Sequence, residues 1–203
     1  MPPDDCRERL IDAALELFTR QGYDATTADQ IAARAAVSDA DFAKYFVAKE
    51  AVLMSIVDDM AQATAAALRN TARGGDPERA LLSATAVSVT AIVEGRGAVP
   101  LDHLLAMARI VSTTRNLHRT VSAARRRVLT APLADWMGVD PTNRRLQRAL
   151  TMWSAVTAST YVTALEMPED YTSQGDKRLR QRMMAYLSES FGAVMGVDPQ
   201  SPE

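Results

Sequence analysis

Apolar side chains recur along most of this chain every three or four residues, which is the spacing of one face of an α-helix. The first stretch begins at Leu10 and should end at Gly22, with Asp5 and Glu8 spaced as an N-terminal capping box. Later stretches predict helices at 49–69, 77–94, 101–111, after Thr114 to Trp136, from Pro141 to before Pro168, and 177–195. No stretch has the two-residue period of a strand, so the sequence predicts an all-α fold.

Proline, glycine and short polar side chains mark the ends of these predicted helices. Asp76 followed by Pro77 has the order of an N-cap and a first helical residue, and Gly138 is typical of a helix C-terminus. Pro132 falls inside a helical pattern, where it removes a backbone donor. We therefore expect a kink or a break near Thr130.

Residues 26–46 contain two short helical patterns separated by a corner at Ala35, Ala36 and Val37. Thr27 has the position of the first N-cap and Ser38 that of the second. Two short helices joined in this way predict a helix-turn-helix, whose second helix enters the major groove of DNA. The apolar face of that second helix is formed by Phe42, Tyr45 and Phe46.

Four segments between residues 9 and 54 together resemble the DNA-binding domain of the TetR family of transcriptional regulators. They read, in order, LIDAALELFTRQGYDATT, QIAARAAVS, FAKYF and KEAVL. The resemblance implies about nine helices: a three-helix DNA-binding head at residues 1–50 and a six-helix ligand-binding and dimerisation body at residues 51–203. It also implies a homodimeric regulator of a double-stranded DNA operator, expected to act as a repressor that a small-molecule effector releases.

The helix-turn-helix departs from the usual TetR pattern at several positions. Ala36 stands where the family usually has glycine, and Ala43 where it usually has tyrosine. The alternative function is therefore a TetR-like regulator with weakened DNA binding, which acts mainly through a ligand or a protein partner. The predicted DNA-binding residues are Thr27, Ser38, Asp39, Asp41, Lys44, Tyr45 and Lys49.

Within that set, the cationic and polar side chains Thr27, Lys44, Tyr45 and Lys49 are expected to contact phosphates. Two readings remain open for Asp39 and Asp41. Carboxylates in a first helical turn complement the helix dipole. A carboxylate can also accept a hydrogen bond from a cytosine amino group in the major groove.

The charge of the chain is unevenly distributed. Residues 1–50 hold 6 Lys/Arg against 10 Asp/Glu, whereas residues 100–150 hold 9 Arg against 3 Asp. An acidic head is unusual for a DNA-binding protein, because phosphates attract cations. Neither a signal peptide nor a long apolar run is evident, so we expect a cytoplasmic protein without membrane contact.

The sequence offers no catalytic arrangement. It has two histidines and one cysteine, without the spacing of a metal site or a nucleophile with its base. We therefore expect no enzyme activity, no metal ion and no cofactor.

The predicted effector site lies in the body, where aromatic and sulfur-containing side chains could line a cavity between helices. Six arginines lie between Leu104 and Ala134 without any Asp or Glu, and guanidinium groups bind phosphates and carboxylates well. We therefore expect an amphipathic anion as effector, such as an acyl-CoA. The predicted ligand-binding residues are Met107, Arg115, Arg119, Trp136, Met152, Trp153 and Tyr161.

The last helix has a broad apolar face, and in TetR relatives the last two helices pair with those of a second copy. Either this face packs in the same way, or one subunit covers it alone. The predicted dimer-interface residues are Leu179, Met183, Tyr186, Leu187, Phe191 and Val194.

Overall fold

The computed structural model describes residues 3–164 and 177–196 and is helical throughout, without a strand in those ranges. The all-α prediction is therefore confirmed. The N-terminal helices are α1 (Pro3–Gln21), α2 (Ala28–Arg34) and α3 (Asp39–Tyr45). They are followed by α4 (Lys49–Arg69), α5 (Pro77–Val93), α6 (Leu101–Thr113), α7 (Leu117–Met137), α8 (Arg144–Ala164) and α9 (Lys177–Met195).

Helix α4 is the centre of the molecule, with α5 and α7 packed along it and α1 packed against its N-terminal half. Helices α8 and α9 lie side by side, and α6 and α7 pack on α8. One continuous apolar cluster joins Leu10 of α1, Ile31 of α2 and Phe42 of α3 to Leu53 of α4 and Met107 of α6. The head and the body therefore share a core.

Most helix ends lie at the residues that the local sequence predicts. The Asp76 side chain accepts a hydrogen bond from the backbone nitrogen of Arg79, 2.9 Å away, and Gly138 closes α7 with a left-handed φ of 65°. Ala36 also has a positive φ, 53°, at the corner between α2 and α3. That conformation is costly for alanine, which accounts for the usual glycine at this position in the TetR pattern.

Three predicted helix features differ in the structure. Helix α1 begins at Pro3, so Asp5 lies inside it rather than capping it. Helix α7 is unbroken through Pro132, so the expected break is not there, while a kink stays a prediction. Helix α8 begins at Arg144 rather than near Pro141, because the Asn143 side chain accepts hydrogen bonds from the first backbone nitrogens of the helix. The predicted end of α8 before Pro168 lies outside the described residues.

The stretch Asp39–Arg69 is apolar enough to cross a membrane, with a mean hydropathy of 1.3. It consists of α3, a short connection and α4, and eight residues of α4 are buried inside the protein. Core helices of this kind commonly meet the same criterion, so the stretch is weak evidence for a membrane span.

Candidate nucleic-acid interface and ligand cavity

The two short helices are held by the caps that the sequence predicts. The Thr27 hydroxyl accepts from the backbone nitrogen of Gln30 at 3.2 Å, while the Gln30 side chain accepts from that of Thr27 at 3.1 Å. The Ser38 hydroxyl accepts from the backbone nitrogen of Asp41 at 3.1 Å and donates to its carboxylate at 2.7 Å. Phe42 of α3 is buried in the core of the head. These contacts fix the orientation of α3.

The outward side of α3 carries little net charge. Ser38, Asp39 and Lys44 are exposed, and the Lys44 ammonium lies 2.6 Å from the Asp41 carboxylate. The hydrogen bond from Lys44, with a second one from Ser38, lowers the pKa of Asp41, so this carboxylate is ionised at neutral pH. Tyr45 is half-buried, and its pKa is raised by the loss of solvent around its ring.

Lys49 lies at the start of α4, where its ammonium donates to backbone carbonyls of the α1–α2 connection. The distances are 2.7 Å to Tyr23, 3.3 Å to Asp24 and 2.8 Å to Thr26. The ammonium also lies 4.6 Å from the centre of the Tyr23 ring. Each ammonium hydrogen thus has an acceptor within the protein, which assigns Lys49 to holding the connection that precedes Thr27.

All six cations of residues 1–50 have a partner within the chain. Arg7 pairs with Asp59 at 2.9 Å, and Arg20 and Arg34 both pair with Glu16. Arg9 donates to the carbonyls of Ala35 and Ala36 at the helix-turn-helix corner. A phosphate must compete with these partners, because a free cation attracts it more strongly than a paired one.

We expect Lys49→Met to lower the free energy of unfolding by about 2 kcal/mol, because hydrogen bonds from a charged donor are each worth roughly 1.5–3 kcal/mol. Urea unfolding followed by circular dichroism measures the change. Lys44→Met is the matched control and should change stability little, because its ion pair is exposed. If Lys49→Met keeps full stability and instead flattens the salt dependence of DNA binding by about one unit, Lys49 is a phosphate contact.

The body encloses a mostly apolar cavity among α4 to α9, with about 780 Å³ not filled by protein atoms, part of it open to solvent. Mostly apolar pockets that lie between helices are typical of small-molecule sites. Its wall consists of Met60, Ala61, Thr64, Thr85, Val89, Leu104, Leu105, Ala108, Arg125, Trp153, Thr157, Thr160, Tyr161, Met183, Tyr186 and Leu187.

Arg125 of α7 is the charged member of this wall. Its side chain is buried, with 8% of the residue exposed. It donates to the Thr157 hydroxyl at 2.7 Å and to the Tyr161 hydroxyl, and its guanidinium lies 5.5 Å from the Tyr161 ring centre. Its neighbours in sequence point elsewhere: Arg126 donates to the Gln147 side chain, and Arg127 pairs with Asp58.

The structure brings only part of the predicted ligand set to this cavity. Trp153 and Tyr161 line it. Met107 is fully buried outside the wall, and the Trp136 indole donates to the carbonyl of Thr71 at 3.1 Å. Met152 is half-buried, and Arg115 and Arg119 are exposed, none of them in the wall.

The predicted ligand-binding set omits Arg125, although the sequence carries a signal for the burial of this residue. Leu117, Val121, Leu129 and Leu133 are all buried at four-residue spacing, and Arg125 occupies the middle position of that series. A charged residue within an apolar helical stripe is buried with it.

The residues predicted for a dimer interface face the interior of their own chain. Leu179, Leu187 and Phe191 are buried, and Met183, Tyr186 and Leu187 line the cavity. Val194 is half-buried. The exposed positions of α8 and α9 carry charged side chains, such as Arg148 and Arg182, together with the small residues Ala155 and Ala185.

Two helices contact both the cavity and the head. Helix α4 supplies Met60 to the cavity wall and Lys49 to the α1–α2 connection. Helix α6 supplies Leu104 to the wall, and the neighbouring His103 ring nitrogen Nε2 lies 2.7 Å from the Asp12 carboxylate of α1. A shift of either helix on ligand binding would therefore move residues of the head.

The described residues contain no cluster of three or more His, Cys, Asp or Glu that could hold a metal ion.

Comparisons with known proteins agree with this architecture. Residues 10–56 match the model of the tetR family of bacterial regulatory proteins. Over 113 residues the chain is 34% identical to the HTH-type transcriptional regulator TcmR of Streptomyces glaucescens, which covers 55% of this chain and 50% of TcmR. The chain thus spans about half the length of the curated relative that it matches.

Solved structures share the fold over nearly the whole chain. A TetR-family transcriptional regulator from Syntrophomonas wolfei superimposes with a TM-score of 0.59 at 14% identity, covering 98% of this chain and 100% of that chain. SmeT, the repressor of the Stenotrophomonas maltophilia multidrug efflux pump SmeDEF, gives 0.54 at 20% identity, with 98% of each chain covered. Residues 10–56 thus match the tetR family of bacterial regulatory proteins, and the chain shares the fold of these solved structures.

Proposed function

We propose that this protein is a homodimeric, sequence-specific DNA-binding transcriptional regulator of the cytoplasm, a repressor that a small amphipathic anion releases from its operator. The helix-turn-helix supports DNA binding, because both of its helices are capped and α3 presents Ser38, Asp39 and Lys44 outward. The TcmR relative is itself described as an HTH-type transcriptional regulator.

The observation that carries the release mechanism is that α4 and α6 each contact both the cavity and the head. An effector changes DNA affinity only by binding one arrangement of the two heads more tightly than the other. A ligand that fills the cavity pushes on Met60 and Leu104. The resulting movement of α4 and α6 changes the distance between the two recognition helices of a dimer.

The test is fluorescence anisotropy with labelled DNA from the region upstream of the protein's own gene, beside a scrambled duplex of the same length. At physiological salt the upstream duplex should bind at least roughly a thousandfold more tightly, as specific sites do. Equal and weak binding of both would favour the alternative function, a regulator that works mainly through a ligand or protein partner.

We propose that the dimer forms through the outward side of α8 and α9. Small side chains such as Ala155 and Ala185 allow two helix pairs to approach closely, since interaxial distance depends on the side chains at the contact. Closed two-fold dimers are also the commonest assembly of soluble proteins.

Ala155→Arg is expected to weaken the dimer by roughly a hundredfold or more, because it places an unpaired charge in the contact. Sedimentation velocity at micromolar concentration measures this change. Ala123→Arg, at an exposed position of α7, is the matched control and should remain dimeric. A dimeric Ala155→Arg protein would place the interface elsewhere.

A further inference from the structure

We propose that the cavity takes an organic monoanion, whose apolar body fills the space between the helices and whose charged group binds the Arg125 guanidinium. This inference rests on the proposed effector role of the cavity and names the chemical class of the ligand. It also moves the anion-binding group from the exposed Arg115 and Arg119 to the buried Arg125.

Arg125 lacks a counter-ion among the residues that the structure describes. Its recorded partners, Thr157 and Tyr161, are neutral hydroxyls, and no described Asp or Glu lies within ion-pair distance of it. Buried charges in proteins are normally paired, because removing an ion from water costs several kcal/mol that hydroxyls only partly offset. Within the described part of the chain the Arg125 charge is therefore uncompensated, and a bound anion would stabilise it.

The Arg125 guanidinium also has more N–H groups than its two recorded partners accept. Thr157 takes one N–H group and Tyr161 another, which leaves further N–H groups on the planar fork. A carboxylate or phenolate that reaches Arg125 from the cavity can accept those hydrogen bonds. Charge-assisted hydrogen bonds of this kind are about twice as strong as neutral ones, and more so away from water.

A second polar group in the wall lacks a partner. The Thr85 hydroxyl of α5 is buried and makes no hydrogen bond within the described residues, although it lies in the cavity wall. A buried hydroxyl without a partner is unfavourable, because it has lost its hydrogen bonds to water. A ligand oxygen on the apolar body would satisfy it, so the preferred ligand carries a carbonyl or hydroxyl in addition to its anionic group.

Arg125 is the one cation among the described residues of the wall, and it sets the charge of the ligand part that enters the cavity. The rest of the wall consists of apolar, hydroxyl-bearing and aromatic side chains, so a second negative charge there would stay unpaired. Arg115 and Arg119 are exposed outside the wall. A ligand held by those two residues would keep its charge in solvent and would be insensitive to Arg125.

The experiment compares two pairs of probes by isothermal titration of the full chain without DNA: decanoate with decanamide, and 2-naphthoate with 2-naphthamide. Each amide matches the shape of its acid but carries no charge. The acids should bind roughly tenfold or more tightly than the amides. Arg125→Met should abolish this preference, whereas Arg115→Ala/Arg119→Ala should keep it.

The stability of Arg125→Met provides a second readout. Its unfolding temperature without ligand should equal or exceed that of the wild type, since replacing an uncompensated buried charge by an apolar side chain is neutral or stabilising. Thr85→Val should keep the preference for acids and bind both decanoate and decanamide as the wild type does, because neither probe carries an additional oxygen.

Equal affinity of the wild type for acids and amides would overturn the inference while leaving a ligand-binding body in place. Loss of the preference in the Arg115→Ala/Arg119→Ala protein, with Arg125→Met unaffected, would overturn it in favour of the surface arginines. The DNA-anisotropy test of the proposed function uses no ligand, so a failure of DNA binding is seen separately from a failure of acid binding.

Discussion

Phe42→Ala is expected to abolish specific DNA binding while leaving the cavity able to bind its ligand. Phe42 is 5% exposed and belongs to the shared core, which also contains buried residues of α1 and α2. Truncating a buried phenylalanine costs roughly 3–5 kcal/mol. Because α3 has only seven residues, it cannot remain helical and in place without this contact.

Hydrogen exchange and DNA anisotropy measure the two consequences of Phe42→Ala. Amides of α2 and α3 should lose protection while those of α8 keep theirs, and the preference for the specific duplex should disappear. Val47→Ala is the control for stability, because Val47 is 95% exposed and loses no packing. Unchanged protection of α3 in Phe42→Ala would show that its caps alone hold the recognition helix.

Gly97→Ala is expected to lower the free energy of unfolding by about 2–3 kcal/mol, the upper range for overpacking. An added Cβ would lie 2.5 Å from the Cα atom and 2.7 Å from the backbone nitrogen of Ile92, and would also overlap its side chain. Backbone atoms cannot rotate away as a side chain can. The connection between α5 and α6 must therefore move, and α6 with it.

Chemical denaturation measures the cost of Gly97→Ala, and ligand titration shows whether the displaced α6 also weakens the cavity. Gly75→Ala is the matched control, because no atom outside its chain neighbours lies within 4 Å of the added Cβ. It should change stability by less than about 0.5 kcal/mol. Equal stability of the two variants would mean that the α5–α6 connection adapts without strain.

Local chemistry made much of the fold predictable. Caps such as Thr27, Ser38 and Asp76 act within three residues, so their hydrogen bonds could be inferred from spacing alone. Gly138 likewise ended a helix for a local reason. Pro132 shows the limit of such rules, because the surrounding helix stays continuous although a proline weakens it.

Side-chain roles depend on tertiary contacts and were harder to predict. The sequence predicts Lys49 as a phosphate contact. In the structure its ammonium donates to three backbone carbonyls of a connection more than twenty residues away. Leu187 looked like part of a dimer seam, yet it lines the interior cavity. Arg125 is the first of three consecutive arginines, and each of the three has a different partner in the structure. Sequence spacing alone does not indicate which of them is buried.

The central claim is that this acidic head reads a defined DNA sequence as part of a dimer, and selection from random-sequence duplexes tests it most directly. The protein is incubated with the library at physiological salt, and bound DNA is amplified and sequenced over several rounds. The account predicts enrichment of an inverted repeat, with half-sites whose centres lie a whole number of helical turns apart, each of about 34 Å. Selected pools without any common motif, bound no more tightly than the starting library, would contradict it.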